Sequence, residues 1–251
     1  MTIATSHTIL SGLNAPHVIV WMSGGKDSIA TLSLVLDVYP REKVTCAFMQ
    51  LIPGIRCELA PIERTVALFR VPLITTPHWQ LSHYLRRSVL RPPMLNKDKP
   101  RPLRQADIEQ YVMGQIGQPN AWHAGGQREV ESLVRLAYLR KLRNDEAAKT
   151  GRQLGGVDTK FRRVYPIWDW KTKDVYSFMK VRKIPISAPL GQRYKGQSSG
   201  IGITAPQLTW LCREHPEDFA RLEAIFPYAR AQVLRAEIAS QDSDKAVSGK
   251  S

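Results

Sequence analysis

Cysteine is scarce in this chain. Its three cysteines, Cys46, Cys57 and Cys212, lie far apart, and none belongs to a Cys-x-x-Cys pair. An iron–sulfur cluster or a Cys₄ zinc site needs four thiolates. We therefore expect no iron–sulfur cluster, and we expect the chain to work in a reducing cytoplasm.

Long apolar runs are also missing. No basic segment followed by an apolar segment opens the sequence, and no apolar stretch is long enough to span a bilayer. We expect a cytoplasmic protein with no membrane contact.

Basic residues are in excess. The formal net charge is +14, in a chain of 251 residues that is 43% apolar. This excess favours a polyanionic partner, such as a nucleotide, a nucleic acid or an acidic carrier, although a generally basic surface explains it equally well. The length is enough for one α/β domain with an appendage.

A glycine turn stands between an apolar run and a helical pattern. The run His17 to Met22 leads into Ser23-Gly24-Gly25-Lys26-Asp27-Ser28, and Ile29 to Leu36 follows as a helix. Adjacent glycines allow a sharp turn close to an anion. The N–H groups that begin a helix attract phosphate. Hydroxyl and ammonium groups in the turn would add donors, so the sequence predicts a phosphate-binding loop rather than a simple capped turn.

Asp27 does not fit a plain phosphate site, because a carboxylate repels phosphate. Either a divalent cation lies between the two groups or the side chain caps the helix. For a triphosphate ligand we expect Mg²⁺, with Asp27 as its ligand.

Short apolar strands alternate with helices after this loop. We expect strands at 44–51, 72–76, 121–124 and 164–167, and helices at 61–69, 105–117, 173–181 and 206–222. The pattern predicts a doubly wound, mostly parallel α/β sheet with flanking helices and a helical C-terminal appendage. We expect a nucleotide-binding domain over 17–190, a flexible flap and appendage over 191–239, and a disordered tail over 240–251. Residues 1–16 are expected to be a loose lead-in or one short helix.

Two segments break the alternation. Residues 86–104 carry seven basic residues interleaved with prolines, which predicts a loop or insertion that is either a solvated connector or a basic arm. Residues 143–163 are polar and contain three glycines, which predicts a mobile loop.

A second glycine turn leads into a charged segment. Gly126 and Arg128 precede a predicted helix that carries Arg135. The two arginines stand seven residues apart, or two helical turns, so both could reach the end of the sheet. This spacing suits a pair of guanidinium groups around phosphate or sulfate, but it also occurs on many solvated helix faces.

Three separated blocks resemble the phosphoadenylyl-sulfate (PAPS) reductase-like branch of the PP-loop ATP pyrophosphatases. The first is the Ser23–Ser28 loop. The second runs from Gly126 through Arg128 and Glu131-Ser132 to Arg135. The third begins at Tyr165-Pro166-Ile167-Trp168-Asp169-Trp170 and ends at Pro189-Leu190. Together they cover about residues 17–190.

The resemblance implies roles for these positions. The nucleotide, ATP or PAPS, would be held by Ser23, Gly24, Gly25, Lys26, Asp27, Ser28, Gly126, Arg128, Arg135, Asp169 and Trp170. The catalytic residues would be Lys26, Asp27 and Arg128, and Arg128 would contact the reacting phosphate or sulfate. Asp169 and Trp170 would close the pocket. The loop would hold pyrophosphate while a substrate oxygen attacks the α-phosphorus.

The chain departs from the reductases near its C-terminus. Their Glu-Cys-Gly-x-His segment is absent, and the late thiol, Cys212, falls on the apolar face of a predicted helix. The first hypothesis is therefore adenylyl or sulfur-group transfer, with nucleic acid as one acceptor. The alternatives are PAPS reduction to sulfite through Cys212 or a partner's thiol, and a non-catalytic nucleotide- or nucleic-acid-binding module. The sequence leaves open which molecule accepts the transferred group, and whether the chain works with a protein partner or as a homo-oligomer.

Overall fold

The computed structural model of the chain describes residues 3–150, 155–185 and 202–248. These residues form six strands and ten α-helices. The strands are β1 (Val18–Met22), β2 (Val44–Gln50), β3 (Leu73–Pro77), β4 (Trp122–Ala124), β5 (Val157–Asp158) and β6 (Arg163–Val164). The helices are α1 (Ile3–Ser11), α2 (Lys26–Val38), α3 (Arg56–Phe69), α4 (Trp79–Arg86), α5 (Gln105–Gln115), α6 (Leu133–Thr150), α7 (Thr172–Val181), α8 (Ala205–Glu214), α9 (Pro216–Ile225) and α10 (Ala229–Ser248).

The six strands form one sheet in the order β3-β2-β1-β4-β6-β5. Strand β1 is parallel to β2 and to β4, and β4 is parallel to β6; β5 is antiparallel to β6. Strand order reverses at β1, where β2 lies on one side and β4 on the other. In such sheets ligands bind beyond the carboxyl ends of the strands, at the point of reversal. The predicted α/β fold with a mostly parallel sheet is confirmed.

The centre of the sheet is apolar because its strands are covered on both faces. Val18, Ile19 and Val20 of β1 are fully buried. Helix α2 packs against β1 and buries Ile29, Leu32 and other apolar side chains. A strand buried on both faces reads as a continuous apolar run, and this is why the sequence identifies β1 and β2 well.

The chain divides into two compact units, each made of separate segments. The first comprises 1–48, 61–75 and 109–189, and the second comprises 49–60, 76–108 and 190–251. The first unit holds the central strands, the Ser23–Ser28 loop and α7. The second unit thus includes two segments that precede residue 109 in addition to the C-terminal segment.

The second unit has a core of its own. It is built from Leu51, Ile52 and Ile55 together with Leu208, Leu211, Phe219, Leu222, Phe226, Ala229 and Val233. Segment 86–104 also lies in this unit and, apart from a 3₁₀ turn at Asn96–Asp98, contains no helix or strand beyond the end of α4 among these described residues. Its C-terminal end is tied to α4, where Ser82 accepts a hydrogen bond from the Leu103 N–H at 2.8 Å.

Several predicted elements have different limits. Helix α3 begins at Arg56 rather than at Pro61, because the Asp218 carboxylate accepts hydrogen bonds from the N–H groups of Arg56 and Cys57. The predicted helix 206–222 is two helices, α8 and α9, because Pro216 starts a new helix. The strand expected at 164–167 is only two residues long.

Two other predictions were wrong because polar segments were not expected to be helical. The expected loop over 143–163 contains the end of α6, since Ala, Lys, Arg and Glu are good helix formers without an apolar face. Helix α10 continues to Ser248, into the segment expected to be a disordered tail. Of the flap and appendage expected over 191–239, residues 191–201 lie outside the described residues.

Candidate functional site

The Ser23–Ser28 loop joins β1 to α2 at the carboxyl end of the central strand. Gly25 is the N-cap residue of α2, with extended backbone angles, and it offers no side chain to the N–H groups of the first turn. Those groups therefore point out of the helix with the positive end of its dipole behind them. The loop has the form that a phosphate ligand requires.

Gly24 makes the turn possible. Its φ of +72° is in the left-handed region, and an added Cβ would lie 3.3 Å from the Ile62 side chain. Both the backbone conformation and the space thus require glycine at this position.

Two hydroxyl groups fix the loop internally. The Ser28 Oγ donates to the Gly25 carbonyl at 2.8 Å and accepts from the Ser23 N–H at 3.2 Å. The Ser23 Oγ lies 3.3 Å from the same Ser28 oxygen and accepts a long hydrogen bond from the Gly25 N–H. The serines hold the shape of the loop and leave the Ser23 hydroxyl at its edge.

Lys26 and Asp27 form a charged pair at the start of α2. The Lys26 ammonium donates to Asp27 Oδ2 at 3.0 Å and lies 5.7 Å from the centre of the Tyr176 ring. The Lys26 side chain is 18% exposed. A half-buried ammonium at the N-terminal turn of a helix adds positive charge where the loop would receive an anion.

Arg128 is buried against Asp27. Its Nε lies 2.9 Å from Asp27 Oδ1, and its side chain is 4% exposed. Its Nη1 donates to the Trp170 carbonyl at 3.2 Å and to the Thr172 hydroxyl at 3.3 Å. Most of the guanidinium is therefore engaged within the first unit, and Asp27 is neutralised by a protein cation.

Gly126 brings the second glycine turn against α2. A Cβ at this position would lie 2.8–2.9 Å from the backbone of Asp27 and Ser28. No residue other than glycine allows the two backbones to approach this closely without a shift. The structure thus gives Gly126 a packing role beside the phosphate loop.

Arg135 is not beside Arg128 on one helix face. Arg128 has an extended backbone and precedes a 3₁₀ turn at Glu129–Glu131, and α6 begins only at Leu133. Arg135 is 46% exposed and forms an ion pair with Glu131, which also accepts a hydrogen bond from the Arg128 N–H at 2.9 Å. Instead of a pair of guanidinium groups around a ligand, the structure shows Glu131 between Arg128 and Arg135, with an ion pair to each.

The segment after β6 closes over Arg128. Trp168 and Trp170 are both 3% exposed, and Trp170 packs edge-on against Phe178 at 5.3 Å. The indole N–H groups of both tryptophans and Oδ1 of Asp169 have no hydrogen-bond partner among the described residues. Burial raises the pKa of the Asp169 carboxyl group. These buried polar atoms mark where a ligand could supply partners.

No protein-family model and no curated protein matches this chain. Two solved structures resemble it at low identity. The NH₃-dependent NAD synthetase from Campylobacter jejuni is 11% identical, with a TM-score of 0.43, over 94% of this chain and 95% of that chain. The U34-tRNA thiolase NcsA from Methanococcus maripaludis, described with its [4Fe-4S] cluster, is 13% identical, with a TM-score of 0.45, over 92% of this chain and 77% of that chain.

These likenesses are weak, and they single out no PAPS-reductase branch. The interpretation of the site therefore depends on the residues of this chain. The loop, its position at the strand reversal and the parallel sheet agree with the PP-loop resemblance.

The cofactor prediction needs correction. Because a cluster needs four thiolates, the three cysteines predict that the chain holds no iron–sulfur cluster, but the similar thiolase is described with one. In this chain Cys57, His215 and Asp218 also place ligand atoms within 4.8 Å of one another. A count of cysteines does not limit the donors that meet in space, because histidine and aspartate also supply ligand atoms, so the exclusion fails. Asp27, the expected Mg²⁺ ligand, forms ion pairs with Lys26 and Arg128.

The cysteines differ in environment. Burial raises the pKa of Cys46 to about 12. Burial, followed by the nearby Asp218 carboxylate, also raises the pKa of Cys57. Cys212 is half-buried against the core of the second unit, in line with the packing role that an apolar helix face suggests.

The sequence did not reveal three other contacts near the site. The Thr172 hydroxyl accepts a hydrogen bond from Arg128, and the Lys26 ammonium lies over the Tyr176 ring. At the end of the central strands, Trp21 donates to Nδ1 of His123 at 3.1 Å. Burial lowers the pKa of His123 to about 4.

Among the described residues no helix has the length and apolarity needed to cross a bilayer.

Proposed function

We propose that the chain is a PP-loop-type enzyme that binds ATP at the Ser23–Ser28 loop and cleaves it between the α- and β-phosphates. The observation that carries the proposal is the loop itself. A parallel strand ends in a left-handed glycine at the strand reversal, a helix begins without a side-chain cap, and the Lys26 ammonium stands at its first turn. A helix N-terminus with these features favours the binding of a phosphate group.

In the proposed reaction an acceptor oxygen attacks the α-phosphorus, and the bond from that phosphorus to the bridging oxygen of pyrophosphate breaks. Negative charge then grows on the leaving pyrophosphate. The N–H groups that begin α2 and the Lys26 ammonium stabilise this charge, since they are already oriented toward it. Arg128 acts as a positioning residue that holds Asp27, and through it Lys26, in place.

For the acceptor we propose a nucleic acid. The chain has a net charge of +14, and segment 86–104 of the second unit presents the exposed basic side chains of Arg87, Lys97, Arg101 and Arg104. A basic segment of this kind attracts a phosphate backbone.

The test is product analysis by mass spectrometry after incubation with ATP, with and without DNA or RNA. We expect AMP or an adenylated acceptor together with pyrophosphate. The Lys26→Ala variant should bind ATP about 10- to 100-fold more weakly, because a charge-assisted hydrogen bond contributes about 1.5–3 kcal/mol. Lys43→Ala is the matched control, since Lys43 lies in an exposed 3₁₀ turn before β2, at the opposite end of the strand.

Other products would overturn the proposal. Sulfite and adenosine bisphosphate formed from PAPS with a thiol reductant would indicate the reductase instead. Tight ATP binding without turnover would indicate a binding module.

A further inference from the structure

A cluster of three different donor groups lies in the second unit and includes no residue of the phosphate loop. Cys57 is in the first turn of α3, His215 lies between α8 and α9, and Asp218 is in the first turn of α9. One ligand atom from each, namely a thiol sulfur, an imidazole nitrogen and a carboxylate oxygen, lies within 4.8 Å of the other two. We propose that these three side chains bind a single divalent transition-metal ion such as Zn²⁺.

The donor set suits such an ion. Zinc takes sulfur at about 2.3 Å and nitrogen or oxygen at about 2.0–2.2 Å, so the ligand atoms of a tetrahedral site lie about 3.4–3.6 Å apart. Side-chain rotation brings atoms already within 4.8 Å to that spacing. Thiolate and imidazole favour zinc-like ions over Mg²⁺ or Ca²⁺, which prefer oxygen ligands.

The carboxylate is held as metal ligands usually are. Asp218 Oδ1 accepts from the Arg56 N–H at 2.9 Å and from the Arg221 guanidinium at 2.7 Å. Oδ2 accepts from the Cys57 N–H at 2.8 Å, which leaves this oxygen a further lone pair. Outer hydrogen bonds of this kind fix the orientation of a ligand. Asp218 is 4% exposed, so its direction is also set by packing.

The side chains of Cys57 and His215 are partly accessible to solvent. Cys57 and His215 are both half-buried, and the His215 ring is oriented by an edge-on contact with Trp210 at 4.6 Å. On binding, the Cys57 thiol loses its proton to solvent and the thiolate takes its place on the metal. Three protein ligands leave one tetrahedral position for water, as in zinc sites that do chemistry.

The test uses the full chain after treatment with a chelator. Titration with Co²⁺ should give one equivalent of binding with a thiolate-to-metal charge-transfer absorption, and Zn²⁺ should displace it. Cys57→Ser should lose this absorption, and His215→Ala should weaken binding at least about tenfold, since even outer-shell changes cost about 10- to 100-fold. Cys212→Ser is the matched control and should bind as the wild type does.

A second measurement keeps the test independent of the folding of the variants. In the wild-type chain Zn²⁺ should protect Cys57 from alkylation, as mapped by peptide mass, and leave Cys212 equally reactive. Absence of the absorption, its survival in Cys57→Ser, or alkylation of Cys57 at saturating Zn²⁺ would overturn the proposal. Stoichiometric iron with acid-labile sulfide in anaerobically purified protein would also overturn a mononuclear site.

Discussion

The Nε of Arg128 lies 2.9 Å from Oδ1 of Asp27, and the two residues are 101 positions apart in the chain. The arginine is almost fully buried and the aspartate largely so. This ion pair joins the two glycine turns that form the candidate site, and each partner is costly to remove alone.

Arg128→Ala should therefore destabilise the protein strongly. The substitution leaves Asp27 as a largely buried charge without its guanidinium, and we expect a loss of about 3–5 kcal/mol in the free energy of unfolding. Urea denaturation measures this. Arg140→Ala is the control, because Arg140 is 54% exposed and pairs with Glu129 at 3.4 Å, so we expect less than about 1 kcal/mol. Equal losses in the two variants would contradict the buried pair.

Gly126→Ala should destabilise the protein by about 1–3 kcal/mol, because the new Cβ would force the backbone of Asp27 and Ser28 apart. It should also weaken ATP binding. Gly114→Ala is the matched control: Gly114 lies within α5 with no atom within 4 Å of an added Cβ. There we expect a gain of about 0.5–1 kcal/mol, since alanine favours the helix. A lower free energy of unfolding for Gly126→Ala and a higher one for Gly114→Ala, measured by thermal or urea unfolding, would support the close approach of the two backbones.

Stability should fall between pH 7 and pH 5 because of His123. Its pKa is lowered by burial from 6.5 to about 4, so the unfolded chain binds a proton in this range that the folded chain does not. The free energy of unfolding then decreases as pH falls, by about 2 kcal/mol for this group.

The measurement is urea unfolding at pH 7, 6 and 5 for the wild type and His123→Gln. The variant should show the shallower dependence on pH. Burial also lowers the pKa values of His17 and His78, but these groups contribute equally to both proteins. Parallel curves would show that His123 is not responsible.

Charge neutralisation in segment 86–104 should reduce nucleic-acid binding. Replacing Arg87, Arg101 and Arg104 by glutamine should lower the affinity for DNA or RNA and reduce the salt dependence by about one unit of slope for each phosphate that is no longer neutralised. Fluorescence anisotropy at several salt concentrations measures both. The control for net charge replaces three basic residues of α6, Arg140, Lys141 and Arg143, by glutamine. An equal effect there would show that binding depends on overall charge alone.

Local patterns predicted the elements that are determined locally. Strands β1 and β2 are continuous apolar runs, and the glycine turn after β1 is visible as Gly24-Gly25. Other features depend on distant residues: α3 starts at Arg56 because Asp218, more than 160 positions later, caps it. The partner of Asp27 was missed for the same reason, since nothing near residue 27 indicates that Arg128 will neutralise it.

Strand order has a consequence for how this chain can tolerate change. Strands β1 and β4 are neighbours although about 100 residues separate them, and β2 and β3 lie to one side. Segment 86–104 lies between α4 and α5 and contributes no strand to this sheet, so its length can change without separating the two glycine turns. A new binding specificity could therefore be acquired in this segment while the phosphate loop stays the same.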